Sequence, residues 1–312
     1  MFANPAIEAN AQPHIAAAVL LGLASAACYA ASVVVQQRHA SRQVVGDGAL
    51  VLRLFRNPGF WLAPAATLVG ALLHVGALAL GPLSVVQPLG VSELLLALPL
   101  GAVLAGRRVS RFEWLGAAAV AVGLSAVLAV AAHDAPKGHL ELAPLALALA
   151  ELAVATLVVS LLALAARLRG PAVPVLRAAA AATAFADASA MARVALTGAA
   201  AFPLAMSLAA LSGTVGFALA PLAYRDGGLG APLATQILVD PLVAVALGIG
   251  LLGEPIALTA ARSVLVVLGL IVTAGGISVL APRGRAEAGQ APRPVDHPGA
   301  RARRELVALT AA

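Results

Sequence analysis

Two carboxyl groups draw attention by their position. Glu93 lies inside the apolar stretch 82–105, and Asp240 lies inside the apolar stretch 231–252. An ionisable side chain is expensive to hold in lipid, so it faces a protein interior or a wet cavity far more often than acyl chains. Helical spacing sets Gly90, Ala97 and Leu100 near the face of Glu93, where small residues leave room for another helix or a ligand. Gln236 precedes Asp240 by one helical turn and shares its face, which Ala244 and Gly248 continue. Pro241 removes a backbone donor opposite the carbonyl of Ile237, so a bend and a free carbonyl oxygen are expected beside the carboxylate. Carboxylate, amide and carbonyl oxygens together could bind a cation, a substrate amine or an exchangeable proton. The structural alternative is a protonated acid bonded to a neighbouring helix.

Other polar residues in apolar stretches extend the set. Asp187 is central in 174–197, with Thr183 one turn earlier. Arg193 follows it by six residues, roughly 120° around a helix, so the two do not share a face, and Arg193 could simply reach the interface. His74 could relay a proton or bond a backbone carbonyl. Gln87, Tyr29 and Ser32 could contact a substrate or bond between helices. Glu151 is also embedded, whereas Glu113, Asp226 and Glu254 fall near stretch ends and are expected to be solvated. The candidate binding residues are therefore Glu93, Asp240, Gln236, Asp187, Arg193, His74 and Gln87, with Glu93 and Asp240 as ligands if the substrate is a metal ion.

The elements that must hold these residues follow from composition. The 312 residues are 61% hydrophobic and 11% charged, against about 45–50% and about 25% in soluble domains. Mean hydropathy is +0.96. The polar supply is too small to cover a soluble protein of this size, and the bulk of the chain is too apolar for disorder. Nine apolar stretches occur, at 14–35, 59–80, 82–105, 112–132, 143–166, 174–197, 201–223, 231–252 and 257–280. Each is long enough to cross the hydrocarbon as a helix, and lipid forbids open strands. The expectation is an all-α, polytopic bundle of about nine spans. The single cysteine, Cys28, has no partner for a disulfide or metal site, and residues 1–13 lack the basic start of a cleaved signal.

Charge sets the orientation. Seventeen of the twenty basic residues flank alternate loops or lie in the C-terminal tail, while the opposite loops hold only Lys137 and Arg262. The positive-inside rule then places the N-terminus outside and the C-terminus in the cytoplasm, with Trp61, Trp114 and Tyr224 at cytoplasmic interfaces. The net charge of +6 is thus topological, and no basic-aromatic surface points to nucleic acid.

The two halves resemble each other. Glu93 matches Asp240, and at the same offset Leu95, Ala97, Leu100 and Gly101 meet Leu242, Ala244, Leu247 and Gly248. One residue out of step, Val69, Gly70, Leu73, Ala77 and Gly81 meet Val215, Gly216, Leu219, Ala223 and Gly227. An odd connecting span inverts the second half, as in many secondary transporters. The expected organisation is an external tail at 1–13, a four-helix repeat at 14–142, a connecting helix at 143–170, a second repeat at 171–281 and a flexible cytoplasmic tail at 282–312.

The runs Gly81-Pro-Leu-Ser-Val-Val-Gln-Pro-Leu89, Gly230-Ala-Pro-Leu-Ala234, Asp240-Pro-Leu-Val243 and Leu252-Gly-Glu-Pro255 resemble the drug/metabolite transporter superfamily, and the last is similar to the EamA-type repeat. The resemblance spans about residues 15–280. It implies a carrier for metabolites, amino acids, sugars or drugs. The first half departs from it with Gly106-Arg107-Arg108 where Gly-Glu is usual. Nine spans with an external N-terminus are more similar to the NIPA-type magnesium transporter branch, which implies a divalent-cation pathway as the alternative. A non-transporting scaffold or receptor is a third class.

Hydrolase, P-loop, zincin and Cys-x-x-Cys motifs are absent from the sequence. The expectation is a non-enzymatic carrier without cofactor, coupled to a proton or ion gradient. Its partners are a small solute or ion and the bilayer; a homodimer is allowed. Nineteen arginines against one lysine, with abundant alanine, suggest a GC-rich bacterium and its plasma membrane.

Overall fold

The computed structural model describes residues 5–43, 45–80, 83–131, 144–197, 202–252 and 259–289. Eleven α-helices account for nearly all of them, and no strand occurs among the described residues. They are α1 (Pro5–Ala40), α2 (Asp47–Arg56), α3 (Leu62–Leu80), α4 (Leu83–Gly90), α5 (Ser92–Leu104), α6 (Arg111–Ala131), α7 (Pro144–Arg167), α8 (Ala172–Thr197), α9 (Phe202–Gly227), α10 (Gly230–Leu252) and α11 (Ala260–Gly289). A 3-10 turn, Pro58–Trp61, leads into α3, capped by Asn57 Oδ1, which accepts from the Gly59 amide at 2.9 Å.

Among the described residues, seven stretches are long and apolar enough to cross a membrane: His14–Ala40, Pro58–Leu80, Arg111–Leu128, Leu145–Arg167, Phe202–Gly227, Gly230–Leu247 and Ala260–Ala281. The chain is a helical membrane protein. Two further expected spans are helical but different in kind. Helix α8 has 26 residues and carries Arg177, Asp187 and Arg193. The expected span 82–105 is divided into α4 and α5 at Val91, three residues after Pro88, which has no amide hydrogen to donate. Where a bend was expected at Pro241, α10 runs on as one helix through that proline.

Packing follows three long helix pairs: α1 on α3, α8 on α9, and α6 on α11. Helix α1 also packs on α4 and α5, as α8 does on α10. The two glycines matched by sequence each lie at a close helix contact. A Cβ on Gly70 would stand 3.2 Å from the Tyr29 ring of α1, and one on Gly216 would stand 3.0 Å from the Ala181 carbonyl and Phe185 ring of α8. Helices α6 and α11 meet along glycines spaced by seven, Gly116 and Gly123 against Gly269 and Gly276. The central core gathers Leu94, Leu98, Val120, Tyr224, Leu233 and Leu280 from five helices. Leu68, Leu72 and Val75 of α3 and Leu145, Leu149 and Leu152 of α7 remain exposed, as lipid-facing side chains should.

One end of the bundle is cross-linked by charge. Arg177 at the start of α8 pairs with Asp226 and with Asp47 at 2.7 Å. Arg225 at the end of α9 bonds Asp47 at 2.6 Å, Asp226 at 2.7 Å and the Val45 carbonyl at 3.1 Å. Beneath this lattice, Phe60 packs edge-on to Phe55 and Phe217, with ring centroids 5.6 and 5.8 Å apart.

Two interfacial expectations are corrected. Tyr224 is fully buried rather than interfacial, because α9 and α10 fold back on each other through Gly228, whose φ of +68° suits glycine. Glu113 is buried, not solvated: it pairs with Arg107 at 2.9 Å and caps α6 by accepting from the Ser110 amide at 2.6 Å. Asp226 keeps partial exposure, as expected, while ion-paired in the lattice described above. Trp61 and Trp114 are exposed.

Candidate functional site

Local structure explains why polar groups converge in so apolar a bundle. Small residues on α1 and α8 keep those helices close to their partners while opening space between them. The break at Val91 puts Glu93 in the first turn of α5. On α10, Leu233, Gln236 and Asp240 fall on successive turns of one face.

These faces enclose a cavity of about 540 Å3. Its wall is formed by Ser25, Tyr29 and Ser32 of α1, Thr67 and His74 of α3, Gly90 and Glu93 at the α4–α5 break, Phe185 and Ser189 of α8, and Gln236 and Asp240 of α10. The α1 residues involved sit at the middle of the stretch His14–Ala40. That volume is within the roughly 300–1,000 Å3 of typical ligand pockets.

Much of the neutral polar wall is already satisfied. Ser25 donates to the Gly70 carbonyl at 2.8 Å. Ser32 donates to the Ala63 carbonyl at 2.9 Å and lies 2.7 Å from the Thr67 hydroxyl. These bonds stitch α1 to α3. The Tyr224 hydroxyl donates to Gln236 Oε1 at 2.5 Å, which turns the amide nitrogen the other way. Two polar atoms are left buried without a partner, Gln236 Nε2 and Asp240 Oδ1. A buried polar group without a bond costs about 1–3 kcal/mol, so a ligand that bonded either atom would recover that cost.

The structure brings Glu93, Asp240, Gln236 and His74 together on one cavity. Asp187 is elsewhere. It is fully buried on another face of α8 and accepts from the Ser212 hydroxyl of α9 at 2.6 Å. Its Oδ1 has no hydrogen-bond partner, and the same holds for Oε1 of Glu151 on α7. The side chains of Gln87 and Arg193 lie outside the described residues, as do Lys137, Glu254 and the tail 290–312. Sequence reasoning missed the role of Tyr224 and the aromatic wall at Phe185. The tight turn around Gly227-Gly228-Leu229-Gly230, which returns α10 along α9, was the available signal for the first.

Comparisons with known proteins add little. No family model matches the chain, and no solved structure matches it significantly. A segment of 117 residues is 38% identical to an uncharacterized protein of Corynebacterium glutamicum. The match takes in 36% of this chain and 40% of that protein.

Proposed function

We propose that this chain is a secondary carrier that moves a small solute across a bacterial inner membrane by alternating access. The observation that carries this reading is the mid-bundle cavity on which Glu93 and Asp240, matched acids of the two halves, both open. Corresponding packing supports two inverted repeats: α1 on α3 with α8 on α9, α4–α5 with α10, and α6 against α11. Counting α8 and the divided α4–α5 as spans gives nine crossings, with the N-terminus outside and the C-terminus in the cytoplasm. The Asp47–Arg177–Arg225–Asp226 lattice then closes the cavity on the cytoplasmic side. Arrangement and sequence runs together fit a carrier related to the drug/metabolite transporter superfamily, EamA-like, working without a catalytic step. The two acids exchange protons with the solute and couple its movement to the proton gradient.

A ligand screen by thermal shift selects the solute, and purified protein in liposomes with an imposed pH gradient then tests the reading. Wild type accumulates the solute; Glu93→Gln and Asp240→Asn abolish accumulation with unchanged folded yield. Wild-type rates in both variants would remove these acids from the mechanism. Two carboxylates on one cavity also offer oxygen ligands of the kind magnesium takes. Stabilisation by millimolar magnesium, lost in Asp240→Asn, would favour this NIPA-like reading.

A further inference from the structure

We propose that the cavity selects a small organic ammonium compound that also carries a hydrogen-bond acceptor. This rests on the carrier reading and names the substrate class of the same cavity. Among the described lining residues the ionisable groups are Glu93, Asp240, Tyr29 and His74, with no lysine or arginine. A mostly apolar cavity whose wall carries two acids and no basic side chain other than His74 favours positive charge over anions. Tyr29 and Phe185 add aromatic faces to the wall, which favour an organic cation over a hydrated metal ion. Among the described residues no group of three His, Cys, Asp or Glu side chains is placed to hold a metal.

The second half of the specificity comes from Gln236. Its side chain is buried, with 9% exposure. The Tyr224 hydroxyl occupies Oε1 at 2.5 Å and leaves Nε2 as a donor without a partner. One turn along the same face, Asp240 Oδ1 is an acceptor without a partner. A ligand that places an ammonium on the carboxylate and a carbonyl oxygen on the amide satisfies both atoms at once. An anion satisfies only the amide, and a simple alkylamine only the acid.

The test is equilibrium binding to the full chain in detergent, by titration calorimetry, with four probes: γ-aminobutyramide, hexylamine, butyramide and butyrate. Magnesium chloride serves as the metal arm. Wild type binds the two ammonium compounds and neither butyramide nor butyrate. Asp240→Asn weakens both ammonium compounds at least about 10-fold. In Gln236→Leu the affinity of γ-aminobutyramide relative to hexylamine falls by roughly 3- to 10-fold, the value of one neutral hydrogen bond. Binding of butyrate or magnesium in place of the ammonium compounds overturns the proposal, as does a ratio unchanged in Gln236→Leu. If that variant fails to fold, the wild-type ranking decides alone: γ-aminobutyramide above hexylamine, and both above butyramide and butyrate. Ammonium binding without flux in liposomes would refute the carrier reading and leave this inference standing. Flux of another solute without ammonium binding would do the reverse.

Discussion

The close pairing of α6 with α11 provides a steric prediction with a built-in control. A Cβ added at Gly276 would stand 2.6 Å from the Gly116 carbonyl oxygen, 2.8 Å from Val120 Cγ2 and 3.0 Å from the Val120 amide. Ordinary contact begins at 3.4 Å, so the shortfall against the Gly116 oxygen is about 0.8 Å. That oxygen and amide belong to the backbone of another helix and cannot rotate away. The helices must therefore separate, which also loosens the contact of Gly123 with Gly269, one stripe further along. Overpacking of this kind costs about 1–3 kcal/mol, while Gly→Ala inside a helix returns roughly 0.5–1 kcal/mol. Gly276→Ala is expected to destabilise on balance, by up to about 2.5 kcal/mol. The neighbouring Gly275 has nothing within 4 Å of an added Cβ. Gly275→Ala on the same helix is therefore expected to stabilise slightly, and the difference between the two variants isolates the steric cost. Thermal unfolding in detergent, followed by tryptophan fluorescence, reads the order: Gly276→Ala lowest, wild type next, Gly275→Ala highest. If Gly276→Ala melts at or above Gly275→Ala, the two helices are not packed as described.

Other side chains give predictions of different kinds. Tyr224→Phe removes the donor from Gln236 Oε1 and is expected to cost about 1–3 kcal/mol through the orphaned amide oxygen, read as a lower melting temperature that a cavity ligand fails to restore fully. Ser212→Ala takes from Asp187 its described hydrogen-bond donor, with a similar expected loss of about 1–3 kcal/mol; unchanged melting would mean that the bond contributes nothing. Asp47→Arg breaks two arginine contacts across the cross-linked end and is expected to raise solute leak through liposomes, and Asp47→Arg with Arg225→Asp restores the seal in part. Equal leak in wild type and Asp47→Arg would show that the lattice does not close the cavity.

The fold was legible in proportion to how local its causes are. Apolar length alone located the helices, because lipid leaves the backbone no other way to satisfy its amides. The arginine clusters marked the end that the Asp47 lattice ties together, although nothing in the sequence pairs Asp47 with residues 130 and 178 positions away. Glu93, Asp240, Gln236 and His74 were legible as candidates because polar groups in apolar stretches demand a reason. Asp187 met the same criterion yet faces Ser212, since a period of 3.6 residues cannot say which helix a face will meet. Tyr224 and Glu113 were misread as interfacial because closeness to a helix end was equated with exposure. The turn at Gly228 and the capping of α6 by Ser110 and Glu113 bury them instead. The heptad glycines at 116, 123, 269 and 276 carry a packing signal that a search for chemistry passes over.

In the proposed carrier, one cavity serves both sides of the membrane in turn. Gly90 lines that cavity and has open space where a Cβ would stand, so Gly90→Cys in a Cys28→Ser background places a reporter there without crowding. The measurement is its modification in liposomes by a membrane-impermeant thiol reagent, applied from one face and then from the other. Labelling is expected from both faces, slowed from each by a bound ammonium ligand. Labelling from one face alone under every condition, or from neither, would contradict it.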